Sequence, residues 1–177
     1  MNNPERIRLA IITISDKAAR GEREDAGGPA IRAALSAAGV VVDEVEYRVI
    51  PDDEQRIGEA LFHLSERSDV DLILTTGGTG LAPRDVTPQA TLHATDYEVP
   101  GVAEAMRAAS LQVTPAGMLS RGVAGVRKQT LIVNLPGNPK AVGENLAAIA
   151  AALPHAISTL RGQVGEHDRA AHVARAN

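Results

Sequence analysis

Apolar positions fall along this chain in two rhythms: short runs with little polar interruption, and longer stretches in which they recur every three or four residues. From Arg6 to Ser15 the core Leu-Ala-Ile-Ile-Thr-Ile carries almost no polar alternation and predicts a central strand buried on both faces. Leu72 to Thr76 reads the same way. Val40 to Ile50 instead alternates, with Val41, Val45, Tyr47 and Val49 set against Glu44, Glu46 and Arg48, and predicts a strand nearer an edge. Gly122 to Arg127 and Thr130 to Leu135, joined by Lys128-Gln129, predict a hairpin and so an antiparallel edge.

Between these runs the period lengthens to that of helices. Ile31, Ala34, Leu35 and Ala38 form one stripe, opened by Asp25, Gly27, Gly28 and Pro29 and stopped at Gly39. Ile57, Ala60, Leu61 and Leu64 form a second, behind the acidic cluster Asp52-Asp53-Glu54, which suits the positive end of a helix dipole. Thr87 and Pro88 read as N-cap and first residue of a short helix to Ala94, and Pro100 opens another that Pro115 closes. The last stripe, Val142 to Leu160, starts behind Asn138 as N-cap with Pro139 as first helical residue, and Pro154 predicts a kink in it. From Arg161 the period disappears.

Strands alternating with helices predict an α/β fold of three layers, a mainly parallel sheet flanked by helices. At 177 residues, without an internal repeat or low-complexity linker, the chain is expected to form one domain over 1–177, with a core of about 6–162 and a poorly ordered tail, 163–177. Aromatic residues are only 2% of the chain, so Ala, Val, Leu and Ile must build the core.

Composition removes several kinds of chemistry. There is no cysteine, which excludes disulfides, thiolate metal sites and cysteine nucleophiles and agrees with a reducing compartment. A net charge of -4 and few aromatics argue against a nucleic-acid partner. No apolar run approaches the ~20 residues of a membrane helix and no leader opens the chain, so the expectation is a cytoplasmic protein with no membrane partner. The five histidines show no metal-ligand spacing, and Ser15 and Ser120 lack a nucleophile elbow.

What remains is concentrated where strands end. Thr76-Gly77-Gly78-Thr79-Gly80 follows the strand at Leu72 and can present successive amides to an anion. It is neither a P-loop, which needs Gly-Lys-Ser/Thr, nor a Rossmann turn, whose glycines are spaced differently. Pro136-Gly137-Asn138-Pro139 repeats the device after Leu135. Ser15-Asp16, Asp52 and Asp85 add carboxylates at neighbouring strand ends. Glycine amides beside acids suggest phosphates with Mg²⁺, which takes one or two carboxylates and completes its shell with water and phosphate oxygens. Arg84, Arg121, Lys17 and Lys140 are candidates to neutralise further charge.

Taken together, Thr75 to Pro88, Ser15-Asp16-Lys17, Ile50-Pro51-Asp52, Met118 to Arg121 and Asn134 to Pro139 resemble the MogA/MoaB family of molybdenum cofactor biosynthesis, in particular the molybdopterin adenylyltransferases and the G domains of gephyrin and plant Cnx1. The resemblance runs from about Ile7 to Gly162. It implies a homotrimer that transfers AMP from Mg-ATP to molybdopterin and feeds a molybdate-insertion protein. By motif position it implies Asp52 and Asp85 as catalytic acids that hold Mg²⁺. Ser15, Asp16, Thr76 to Gly80, Ser120, Arg121 and Pro136 to Pro139 are its binding positions. A second reading, a molybdopterin-binding scaffold or carrier of the same fold with little turnover, needs the glycine loops but not the paired acids.

Overall fold

The computed structural model describes residues 6–163. Its centre is a six-stranded sheet of β1 (Ile7–Ile14), β2 (Val42–Ile50), β3 (Leu72–Thr76), β4 (Tyr97–Glu98), β5 (Ala124–Arg127) and β6 (Thr130–Leu135). The strand order is β2-β1-β3-β6-β5-β4, with β2, β1, β3 and β6 parallel and β5 antiparallel to both its neighbours, β6 and β4. The alternating strand β2 lies at the edge and the uninterrupted runs β1 and β3 lie inside, as their patterns predict; β6, the inner strand of the hairpin, pairs with β3. The hairpin joins β5 to β6 through Lys128, which takes a left-handed φ of 53°. The two-residue β4 adds the true outer edge; so short an element carries no periodicity to read.

The helices are α1 (Asp16–Ala19), α2 (Gly27–Ala37), α3 (Glu54–Ser65), α4 (Thr87–Ala94), α5 (Pro100–Leu111), α6 (Pro139–Ile149) and α7 (Leu153–Leu160). Ile7, Leu9 and Ile11 pack with residues of α2, α5, α6 and α7 on one face of the sheet. Ala10, Ile12 and Ile14 pack with residues of α3 and α4 on the other. Period-two strands thus feed two separate cores, giving the expected three layers.

Ser15 starts a helical turn that no period marked, α1, its hydroxyl accepting the Ala18 N–H. Three local expectations are corrected. Thr87 does not cap α4: it is the first helical residue and donates its hydroxyl to the Gly77 carbonyl at 2.9 Å. Pro154 does not kink one long helix; a 3₁₀ turn at Ala150–Ala152 separates α6 from α7, and the proline sits in the first turn of α7, where its missing N–H costs nothing. Pro115 opens a 3₁₀ helix, Pro115–Leu119, four residues beyond the end of α5.

The last described residues are anchored just beyond the final apolar stripe. Arg161 and Arg8 both pair with Asp71, whose side chain is 3% exposed, so the predicted tail begins after an ion-paired anchor. The rest of the predicted tail, 164–177, lies outside the described residues.

Candidate active site

Chain connections leave β1 towards β2 on one side and β3 on the other, so a crevice opens where the strand order reverses, outside the carboxyl ends of β1 and β3. A cleft of about 440 Å³ occupies that place, lined by Ser15, Asp52, Thr76, Gly77, Gly78, Asp85, Gly137 and Pro139 among others.

Its floor is the turn after β3. Gly77 and Gly78 have φ of 104° and 64°, a region closed to most side chains. A Cβ on Gly77 would overlap the Ile14 carbonyl, and one on Gly78 would overlap the Thr87 hydroxyl and come 3.3 Å from Asp52 Oδ1. The second glycine turn braces the first: Thr76 Oγ1 donates to the Pro136 carbonyl at 2.8 Å, and Gly77 N–H to the Leu135 carbonyl at 3.2 Å. Asn138 caps α6 through the Lys140 and Ala141 amides, which holds that loop at the helix entrance.

The acids are placed by reciprocal bonds. Asp16 N–H donates to Asp52 Oδ2 at 2.7 Å, and Asp52 N–H returns to Asp16 Oδ1 at 3.1 Å. Arg84 grips the same Asp16 carboxylate with two N–H groups, at 2.7 and 2.9 Å. Helix capping does not explain Asp52, because Asp53 is the N-cap of α3. Burial, together with the nearby charges of Asp16 and Asp85, raises the Asp52 carboxyl above the ordinary aspartate value, against the Asp16 amide and Arg84. Asp16 itself is lowered, first by the Arg84 hydrogen bonds.

Asp85 Oδ2 accepts the Ala82 N–H at 2.9 Å and lies 2.8 Å from where a Gly80 Cβ would stand. Arg121 supports that loop from behind, donating to the carbonyls of Gly80 and Asp85. The guanidinium is therefore spent on backbone.

The candidate residues divide around the glycine loop. Thr79, Gly80, Ser120 and Pro136 line a second cleft of about 430 Å³. Asp16, Arg121 and Asn138 line neither and act on residues that do. The first cleft also takes in Thr13, Arg23, Glu24, Asp25 and Gly27, which no pattern singled out as a site. Asp25 opens α2 as its position predicts, accepting the Gly27 and Gly28 amides. It also accepts the Tyr47 hydroxyl. Burial opposes its charge, but these donors together hold its carboxyl below the ordinary value.

The donor set fits Mg²⁺. Among the described residues no three His, Asp or Glu side chains converge as a complete metal cage. Asp52 and Asp85 each keep one carboxylate oxygen outside the hydrogen bonds above, and that of Asp52, Oδ1, stands beside Gly78. Two carboxylate oxygens with room for phosphate and water are what this ion accepts.

Residues 10–155 match the family described as probable molybdopterin binding domain. The chain is 46% identical to a molybdopterin adenylyltransferase of Escherichia coli, over 81% of this chain and 73% of that one. It is 38% identical to the molybdopterin adenylyltransferase of Helicobacter pylori, over 88% and 89%. Its fold matches the crystal structure of the molybdopterin biosynthesis enzyme MoaB of Thermus thermophilus with a TM-score of 0.81 and 51% identity, covering 88% of this chain and 97% of that one. The match runs from within β1 to the start of α7, and the chain belongs to the probable molybdopterin binding domain family, with MogA and MoaB proteins as its structural neighbours.

Proposed function

We propose that the protein is a molybdopterin adenylyltransferase of molybdenum cofactor biosynthesis, joining AMP from Mg-ATP to the terminal phosphate of molybdopterin. The observation that carries this reading is the placement of Asp52 and Asp85 in one cleft with the Gly77–Gly78 turn.

In the reaction, an oxygen of the molybdopterin phosphate forms a bond to the α phosphorus of ATP. The bond from that phosphorus to the bridging oxygen breaks, and its electron pair leaves with pyrophosphate. A phosphate monoester is largely dianionic near neutral pH, so no strong base is required; the obstacle is repulsion between two polyanions. Asp52 and Asp85 would hold Mg²⁺, which when bound supplies charge neutralisation on the phosphate oxygens. With the Gly77 N–H bound to the Leu135 carbonyl, the amides that follow it in the turn would offer fixed dipoles to an oxyanion, and the braces from Thr87, Thr76 and Arg121 keep that turn from relaxing between substrates. A non-catalytic carrier of the same fold would need the turns but has no use for two acids set against them, and the relatives' names do not favour it.

The same reading makes the protein a cytoplasmic homotrimer that hands its product to a molybdate-insertion protein. Leu81 and Leu119, 64% and 50% exposed, border the second cleft and give a subunit contact apolar surface to cover. Among the described residues no helix is long and apolar enough to cross a membrane. Light scattering should give three times the 18.5 kDa chain mass.

The test of function is pyrophosphate release from ATP by the purified protein. Release is expected only with Mg²⁺ and molybdopterin both present. No release, with molybdopterin bound, would instead support the carrier.

A further inference from the structure

The first cleft holds an imbalance of charge. Glu24, Asp25, Asp52 and Asp85 line it, and Arg23 is the one cationic side chain that does so among the described residues. Three neighbouring arginines are committed elsewhere. Arg84 is bound to Asp16 at 2.7 and 2.9 Å, Arg121 to the carbonyls of Gly80 and Asp85, and Arg20 to Glu22 at 2.7 and 3.0 Å.

Arg23 differs from all three. Its guanidinium makes a single hydrogen bond among the described residues, Nη2 to Ser15 Oγ at 3.1 Å, and no ion pair with any of them. The acceptor is itself fixed, since Ser15 Oγ also takes the Ala18 N–H at 3.3 Å and caps α1. Ser15 is 9% exposed, so it anchors an otherwise exposed arginine at the cleft. A guanidinium carries five N–H donors in a rigid fork matched to phosphate oxygens, and one bond to a hydroxyl leaves most of them available.

We infer that Arg23 is a phosphate-binding residue of this cleft, held by Ser15 and offered to a phosphoryl group of a bound substrate. The inference rests on the reading that the cleft takes anionic substrates, and it deepens that reading by naming the side chain that offsets their charge. Nucleotide and pterin substrates share this chemistry. Arg23 would discriminate for phosphorylated ligands by a charge-assisted, two-pronged contact, which lysine would reproduce only in part.

Isothermal calorimetry decides it, with Mg-ATP and molybdopterin titrated separately into the wild type, Arg23→Gln and Arg23→Lys. The expected result is about a tenfold or greater rise in Kd for at least one ligand with Arg23→Gln, partial recovery with Arg23→Lys, and unchanged thermal stability. Loss confined to Mg-ATP assigns Arg23 to the nucleotide, and loss confined to molybdopterin assigns it to the pterin phosphate. Wild-type affinity for both ligands in Arg23→Gln overturns the inference, as does a wild type that binds neither. Adenylyl transfer is judged separately, by pyrophosphate release from the wild type, so a protein that binds through Arg23 without turnover refutes the enzyme and not the contact.

Discussion

Asp16 and Asp52, 36 residues apart, each donate a backbone N–H to the other's carboxylate, at 2.7 and 3.1 Å. The pairing welds the end of β1 to the end of β2, and Arg84 joins it to the loop carrying Asp85. Both candidate catalytic acids are thus aligned through one carboxylate that does not itself line the cleft.

If that alignment matters, Asp16→Ala and Arg84→Gln should each slow pyrophosphate release roughly ten- to hundredfold, the range a small misplacement of reacting groups produces. Because Arg84 acts through Asp16, the double variant should be little worse than either single one. Additive losses in this double-mutant cycle would show two independent roles.

Gly78 has no room for a side chain. Gly78→Ala puts a methyl group at a φ of 64°, against the Thr87 hydroxyl and beside Asp52 Oδ1. The expected cost is ~1–3 kcal/mol in urea denaturation, with activity falling further than stability because the cleft floor moves. Retention of full activity would separate the turn from the chemistry.

Much of this was legible in the sequence, for identifiable reasons. Leu72–Thr76 and Ile7–Ile14 are apolar without alternation because both faces are covered, and Val42–Ile50 alternates because it is the edge. The glycine turns announced themselves by composition. Harder to read were features that depend on long-range partners. Thr87 next to Pro88 has the local chemistry of a cap, yet its hydroxyl goes to Gly77, ten residues back. Arg121 belongs to a motif, and only the fold reveals that it grips carbonyls. Asp25 looked like a helix opener and is one, while also lining the cleft. Arg23 sits in a charged loop with no period, so nothing local distinguishes it from a solvated arginine.

Far from the cleft, Asp71 sets the acid limit of stability. Burial works against its charge, but Arg8 and Arg161 outweigh that and lower its pKa from 3.8 to about 2. A carboxylate with a depressed folded-state pKa stabilises fully above its unfolded value, and the contribution is lost as pH falls through the folded one. A shift of this size corresponds to ~2 kcal/mol. Denaturation monitored by circular dichroism should therefore show stability falling between about pH 4 and pH 2, as pH passes from the unfolded value of 3.8 to the folded value of about 2. Asp71→Asn should flatten that limb while lowering stability at neutral pH by ~3 kcal/mol or more, since two arginines lose their buried carboxylate. An unchanged acid limb in the variant would place the responsible group elsewhere.

We propose that Asp52 and Asp85, set against the Gly77–Gly78 turn, make the cleft an adenylylating site, and the decisive measurement is pyrophosphate release from Mg-ATP and molybdopterin by the double variant Asp52→Asn, Asp85→Asn. Release is expected at least a thousandfold below wild type, roughly the loss of two charge-stabilising groups, in a folded protein that still binds molybdopterin. Release at a wild-type rate from that variant would contradict it.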